Sequence, residues 1–88
     1  MPTIVARHKV GDFDTWLKGH KDRENIFAPA INGFQTFQDQ DDPNSIVLVI
    51  DVNDMGKFIE IIEDSKSKEF QELHTVIRPI TISMQVEV

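Results

Sequence analysis

The chain has 88 residues, a formal net charge of −6 and no cysteine. A chain of this length forms one domain with a thin core, because small domains bury only about 60–65% of their unfolded surface. The lack of cysteine excludes disulfides and thiolate metal sites, and the negative charge argues against a nucleic-acid partner, which needs a basic surface. The sequence contains no membrane-spanning apolar run and no signal-peptide pattern, so we expect a soluble cytoplasmic protein.

The first third of the chain has the pattern of a strand followed by a helix. Residues 3–10 are rich in β-branched side chains, which favour a strand. Asp12 is positioned to cap a helix, and apolar residues recur at helical spacing to about Phe27. Pro29 takes the chain out of the helix because it lacks a backbone N–H. The stripe of this helix consists of Phe13, Trp16, Leu17, His20, Glu24 and Phe27.

The rest of the chain predicts two strands, two helical segments and a closing strand. Residues 33–38 and 45–52 have strand patterns, and DDPN between them has turn chemistry. Asp54 caps a helix, a short further helix covers about 66–74, and residues 79–88 alternate as a strand. The apolar positions of the two helices are Met55, Phe58, Ile59 and Ile62 in one, and Phe70 and Leu73 in the other.

The order β-α-β-β-α-β is that of the split βαβ, or ferredoxin-like, α+β fold, in which residues 1–88 form one domain. Both helices then cover one face of a four-stranded antiparallel sheet. His8 belongs to the more apolar alternate positions of the first strand, so its side chain is expected to face the helices. In the last strand, the side chains expected to point toward the helices are Ile80, Ile82, Met84, Val86 and Val88.

The opposite face of the sheet has no helix left to cover it. It carries apolar residues beside threonine, serine, glutamine and arginine, and an exposed apolar patch usually marks an interface. We therefore expect a homodimer in which two sheets pack face to face. The alternative is a monomer with a mixed, solvated face. The apolar residues of this face are Val5, Phe37, Val47 and Val49.

Histidines are the candidate reactive groups, because their unperturbed pKa values lie near neutrality. His8, Trp16 and His20 are expected to line one apolar pocket between the sheet and the first helix. Either histidine is a candidate general base, and Trp16 is a candidate stacking surface. Alternatively, the histidines are hydrogen-bonded within the core and Trp16 only packs. His74 is expected at the surface end of a helix. The further candidate substrate-binding residues are Phe13, Phe27 and Arg78.

No metal site and no bound cofactor are expected. The histidines lack the HxH, HxxxH or HExxH spacing of metal ligands. Haem would need an axial ligand and a larger apolar pocket than a chain of this length readily provides. The acidic segments DQDD and EIIED have the character of solvated faces.

Four segments together resemble the dimeric α+β-barrel superfamily, which includes the antibiotic-biosynthesis monooxygenase-like proteins. They are RHKV at the end of the first strand, DFDTW entering the helix, DDPN before SIVLVIDV, and the helical DMGKFIEIIEDSKSKEFQEL. The resemblance covers essentially the whole chain and implies a ligand pocket between sheet and helices. Superfamily members include cofactor-independent oxygenases, haem enzymes, isomerases, cyclases and non-catalytic ligand-binding modules, so the fold does not select a function.

Two functional hypotheses follow. The first is a cofactor-independent monooxygenase- or cyclase-like enzyme that deprotonates a small aromatic or polyketide-like molecule in the sheet–helix pocket. Oxygen would then react with the carbanion, or the substrate would rearrange. The second is a non-catalytic module for small-ligand binding or structural dimerisation, in which the same residues fill the core. An open pocket, and titration of His8 with ligand, distinguish the two.

Overall fold

The computed structural model describes residues 3–86, and eight elements within them follow the predicted order, with each helical region divided in two. The strands form one antiparallel sheet in the order β2-β3-β1-β4, so the predicted ferredoxin-like fold is confirmed. In this range no helix is long and apolar enough to cross a membrane. The elements are β1 (Thr3–Val10), α1 (Phe13–Leu17), α2 (His20–Phe27), β2 (Ile31–Gln38), β3 (Ser45–Val52), α3 (Met55–Glu63), α4 (Ser65–Leu73) and β4 (Val76–Met84).

Aspartate side chains begin the helices at the predicted places. Asp12 accepts a hydrogen bond from the backbone N–H of Asp14 at 3.1 Å, and Asp54 accepts one from Lys57 at 3.0 Å. These bonds satisfy backbone donors that have no partner inside the helix. Asp64 has an extended backbone and caps α4 in the same way, which separates α4 from α3.

The predicted helix from Asp12 to Phe27 is interrupted at Lys18 and Gly19. The backbone N–H of Gly19 bonds to the carbonyl of Trp16 at 3.1 Å, which is the tighter i→i−3 pattern that often ends an α-helix. Glycine has a low helix propensity, so a break at this position is inexpensive. The interruption divides the segment into α1 and α2.

The strand β4 differs from its prediction at both ends. It begins at Val76 rather than residue 79, because Pro79 is tolerated in an edge strand. It ends at Met84, and Val88 lies outside the described residues. Met84 is 55% exposed and Val86 is 74% exposed, so neither joins the core. An edge strand has a neighbour on one side only, which leaves its end open to solvent.

Smaller differences concern β2 and α4. The strand β2 begins at Ile31, two residues earlier than predicted, with a register irregularity between Ile31 and Gly33. On α4, Phe70 turns inward and is half-buried, whereas Leu73 is exposed. Phe70 is therefore the apolar residue with which α4 approaches the sheet.

The core lies between the helices and one face of the sheet. Its members are almost all aliphatic or aromatic, as the alternation in the strands predicts. The buried residues with charged or polar side chains are His8, Arg23 and Ser67. Charged and polar residues are rarely buried without a specific reason. These three residues line the same region of the core. The largest fully buried side chains are Trp16, Phe58, Ile4, Ile46, Val10 and Val52.

Candidate functional site

A cavity of about 70 Å³ lies between the sheet and the helices. Apolar side chains from all four strands and from α2, α3 and α4 form most of its wall. The residues with polar atoms that line it are His8, Trp16, Arg23, Ser67 and Gln71. An apolar cavity with a few polar groups is the usual form of a small-molecule site.

His8, Trp16 and Phe27 line this cavity, so the structure brings three of the sequence candidates together. The His8 ring meets the Trp16 ring edge-on, with 5.8 Å between the ring centres. Phe13 is not part of the cavity wall, but its ring centre lies 6.0 Å from that of Trp16. Phe13 therefore supports the tryptophan rather than contacting the cavity.

His20 and Arg78 lie outside the cavity wall. The Nε2 atom of His20 is 2.8 Å from Oε1 of Glu24, and both side chains are about half exposed. The His20 ring also packs against Phe34, with 5.2 Å between ring centres. Arg78 is exposed on β4. Neither residue is placed beside His8, which leaves His8 as the histidine of the cavity.

His8 is 6% exposed, and its Nδ1 atom is 3.1 Å from the backbone carbonyl oxygen of Lys9. A carbonyl oxygen only accepts hydrogen bonds, so Nδ1 carries the proton and Nε2 holds a lone pair in the neutral ring. Burial lowers the pKa of His8 below its ordinary value of 6.5; the bond to Lys9 opposes this shift and the positive charge of Arg23 adds to it. His8 is therefore a neutral base at pH 7.

The lowered pKa of His8 predicts a loss of stability in acid. As the pH falls below 6.5, the unfolded chain binds a proton that the folded chain resists. The free energy of unfolding should be level above that pH and decline below it, by at most about 1.4 kcal/mol per pH unit. Urea unfolding between about pH 7.5 and 5 measures the slope. The His8→Phe variant should lack this component, and an unchanged slope in the variant would contradict the assignment.

Arg23 was not selected from the sequence, yet it lines the cavity and is only 7% exposed. Its guanidinium carbon lies 4.0 Å from the centre of the Trp16 ring. All three side-chain nitrogens are buried without a hydrogen-bond partner within residues 3–86, and Arg23 takes part in none of the ion pairs there. A signal was present in the sequence, because Arg23 follows Trp16 by seven residues, two helical turns on the same face.

Arg23 remains charged in this apolar setting. Burial lowers its pKa to about 10, and the negative charge of Asp22 works in the other direction. Burying a charge without a partner costs several kcal/mol. The cation–π contact with Trp16 offsets about 2 kcal/mol of this. The fold thus retains a costly cation that forms no ion pair with a carboxylate of the described chain.

Two further polar atoms of residues in the cavity wall have no hydrogen-bond partner in the described part of the chain. The indole Nε1 of Trp16 and the side-chain oxygen of Gln71 are both buried without a hydrogen-bond partner in the range 3–86. The amide nitrogen of Gln71 is 3.4 Å from the hydroxyl of Ser67. The cavity wall therefore combines the base His8, the cation Arg23 and the indole N–H donor of Trp16.

Gly19 allows the break between α1 and α2 to pack closely on its neighbours. A Cβ atom there would stand 2.6 Å from Cδ2 of His74 and 2.9 Å from Nη1 of Arg23. The His74 ring is held by a bond from Nδ1 to the Phe70 carbonyl, 3.0 Å away, and stacks on the Phe70 ring. His74 is consequently half-buried and packs against the segment that carries Arg23, rather than standing free at a helix end.

The Gly19→Ala substitution should therefore lower the free energy of unfolding by about 1–3 kcal/mol, because the methyl group forces His74 and Arg23 apart. Gly56→Ala is the matched control. A Cβ at Gly56 meets only Asp54 at an ordinary 3.6 Å, so the better helix propensity of alanine should stabilise α3 by up to about 1 kcal/mol. Urea unfolding compares the two variants. If Gly19→Ala raised the free energy of unfolding, the packing of Gly19 against His74 and Arg23 would have to be loose, which would contradict this prediction.

Comparison with solved structures identifies proteins of the same fold. An antibiotic biosynthesis monooxygenase aligns over 100% of this chain and 99% of its own, with 16% identity and a TM-score of 0.71. SnoaB, a cofactor-independent oxygenase from Streptomyces nogalater, aligns over 99% and 94% with 15% identity and a TM-score of 0.73. A conserved protein from Methanosarcina mazei Go1 aligns over 96% and 89% with 14% identity and a TM-score of 0.57.

No protein-family model matches the sequence, and a search of curated proteins also finds no match. The similarity to the solved structures extends over nearly the full chain at low identity, which establishes shared architecture but not shared chemistry. The resemblance noted in the sequence is thereby confirmed at the level of fold. This chain has the fold of solved structures that include an antibiotic biosynthesis monooxygenase and the cofactor-independent oxygenase SnoaB.

Proposed function

We propose that this protein is a cofactor-independent oxygenase- or cyclase-like enzyme that deprotonates a small aromatic or polyketide-like molecule in the sheet–helix cavity. The observation that carries the proposal is His8, a buried neutral histidine whose Nε2 lone pair is left available in an apolar cavity. A base of this kind takes a proton from a phenol, an enol or a C–H group beside a carbonyl. SnoaB, a cofactor-independent oxygenase, has the same fold.

The chemistry after deprotonation needs only molecular oxygen. The carbanion donates electrons to O₂, a C–O bond forms, and protonation gives a hydroperoxide. Loss of water from a secondary hydroperoxide leaves a ketone, so one oxygen atom enters the product and the other leaves in water. In a cyclase-like reaction, the carbanion attacks a carbonyl of the same molecule and oxygen is not consumed.

The cavity volume restricts the substrate. About 70 Å³ is well below the roughly 300–1,000 Å³ of sites for drug-sized ligands. A single ring is therefore the largest suitable occupant, and it requires some outward movement of the wall. Phe70 is the clearest candidate for that movement, because it lines the cavity and is only half-buried on α4.

Oxygen uptake with two single-ring probes, 1,4-hydroquinone and 1,3-cyclohexanedione, tests the oxygenase reaction. We expect oxygen consumption above the protein-free rate for at least one probe, with ¹⁸O from labelled O₂ appearing in any oxygenated product. Binding of a probe should also change the NMR titration of His8. Binding without oxygen uptake or perturbation of His8 would favour the alternative, a non-catalytic ligand-binding or dimerisation module.

We also propose that the protein forms a homodimer through the uncovered face of the sheet. The register places Val5 opposite Val49 and Phe37 opposite Val47, so these four side chains share that face. Phe37 is 51% exposed in the single chain. A second copy of the same face would bury this apolar surface and add to a thin core.

A further inference from the structure

We propose that the cavity binds the oxyanion of a single-ring ligand, a phenolate, enolate or carboxylate, and that Arg23 is the residue that binds it. This inference deepens the proposed function by naming the substrate class, and it rests on that function only for what happens to the ligand after binding. The proposed deprotonation itself depends on His8 and not on Arg23.

The guanidinium of Arg23 has no hydrogen-bond partner within residues 3–86. A guanidinium has five N–H donors in a planar fork, and a carboxylate normally satisfies them when the group is buried. The side-chain nitrogens of Arg23 are buried and unpaired within residues 3–86. Exposed lysines are paired with acids, as in Lys9 with Asp42, but within residues 3–86 no carboxylate lies at ion-pair distance from this buried cation. A ligand anion in the cavity would supply the missing charge and acceptors.

The surroundings of Arg23 favour an aromatic or similarly flat anion. The Trp16 ring holds the guanidinium at 4.0 Å and thereby limits its rotation. The buried Nε1–H of Trp16 is a second donor in the same cavity wall that has no partner among residues 3–86. Most of the remaining wall is apolar, including Phe27 and Phe58, so it suits the body of a ring rather than a second charge.

His8, the proposed base, lies in the same cavity as the proposed anion site at Arg23. His8 and Arg23 both line the cavity, and the Trp16 ring contacts both. A proton taken by His8 from a phenol or enol leaves an oxyanion, which Arg23 is then placed to stabilise. A fixed cation in an apolar site acts strongly on such a charge because little solvent screens it.

Ligand titrations with single-ring probes test the inference without requiring turnover. Benzoate and 4-nitrophenolate represent the carboxylate and phenolate classes, and benzamide and 4-nitroanisole are their neutral counterparts. Trp16 is the single tryptophan, so its indole N–H gives one resonance in a ¹H–¹⁵N spectrum. We expect at least one anion to shift this resonance and to bind about tenfold or more tightly than its neutral counterpart.

Arg23→Gln should weaken binding of that anion by about tenfold or more and leave the neutral counterpart unchanged. Lys21→Gln is the matched control, because it removes the same charge from an exposed position of α2 and should change affinity less than about twofold. Equal binding of anion and neutral probe by the wild-type protein would overturn the inference. Failure of every anion to perturb Trp16, or wild-type affinity in Arg23→Gln, would do the same.

The wild-type comparison of anion and neutral probe needs no variant, so it holds even if Arg23→Gln folds poorly. The two proposals also fail separately. Anion binding through Arg23 without oxygen uptake would support this inference and count against the oxygenase reaction. Oxygen uptake that is unaffected by Arg23→Gln would support the reaction and overturn the role of Arg23.

Discussion

The His8→Phe variant is expected to keep the fold and lose about 10²- to 10⁴-fold in kcat/KM for whichever probe supports oxygen uptake. Phenylalanine keeps a flat ring beside Trp16, so the packing of β1 against α1 is preserved. The variant loses the Nε2 lone pair that accepts the proton. It also loses the hydrogen bond to the Lys9 carbonyl, which contributes about 1 kcal/mol to stability. Circular dichroism and urea unfolding measure the fold, and an oxygen electrode measures turnover.

Parallel measurement of His20→Gln assigns the base between the two histidines proposed from the sequence. His20 is half exposed and paired with Glu24 outside the cavity wall, so its replacement should change kcat/KM far less than that of His8. Full activity and unchanged probe affinity in His8→Phe would remove His8 from the reaction. A loss confined to His20→Gln would transfer the role to that residue and place the chemistry outside the cavity.

The Val49→Lys variant is expected to convert the proposed dimer to a monomer. Val49 lies on a central strand of the uncovered sheet face, opposite Val5 on β1 and Gln35 on β2. A lysine there brings an unpaired charge from each copy into the proposed interface. An uncompensated buried charge costs about 3–5 kcal/mol, so the dissociation constant should rise by about 100-fold or more. Sedimentation velocity over a range of protein concentrations measures the change.

Asn25→Lys provides the control for the added charge. Asn25 is exposed on α2, on the helical side of the molecule, so this variant should remain dimeric. The helix side of the sheet is untouched in Val49→Lys, and its circular dichroism should remain that of an α+β protein. A wild-type protein that is monomeric at all concentrations, or a Val49→Lys protein that stays dimeric, would exclude this interface.

Local chemistry made the fold predictable in most places. Asp12 and Asp54 begin helices because a carboxylate at that position accepts the free backbone N–H groups. The strict alternation of β3 places one set of side chains against the helices and the other on the open face. The ends of the strands were less predictable. Pro79 has the pattern of a strand start but lies inside β4. Edge strands tolerate proline, and edge position is a property of the assembled sheet.

The candidate site was only partly predictable. His8 was found because its neighbours two residues away on β1 are apolar, which indicates the inward face. By its spacing, His20 belongs to the apolar stripe of the predicted helix. In the structure its side chain instead pairs with Glu24 and is about half exposed to solvent. The residue type of Arg23 does not predict burial, because a charged residue is rarely placed in a core. Its periodicity relative to Trp16 pointed inward, while its chemistry argued for the surface.

The sequence by itself determined the order of the elements, the two faces of the sheet and the inward direction of His8, because these follow from side-chain periodicity and local hydrogen bonding. Only the tertiary structure decided which polar groups share the cavity. His8, Trp16 and Arg23 come from β1, α1 and α2, and their grouping depends on how the helices pack on the sheet. Tertiary packing also decided that Arg23 is buried without a partner acid among residues 3–86, because the distance between a guanidinium and a carboxylate is set in three dimensions and not by spacing along the chain.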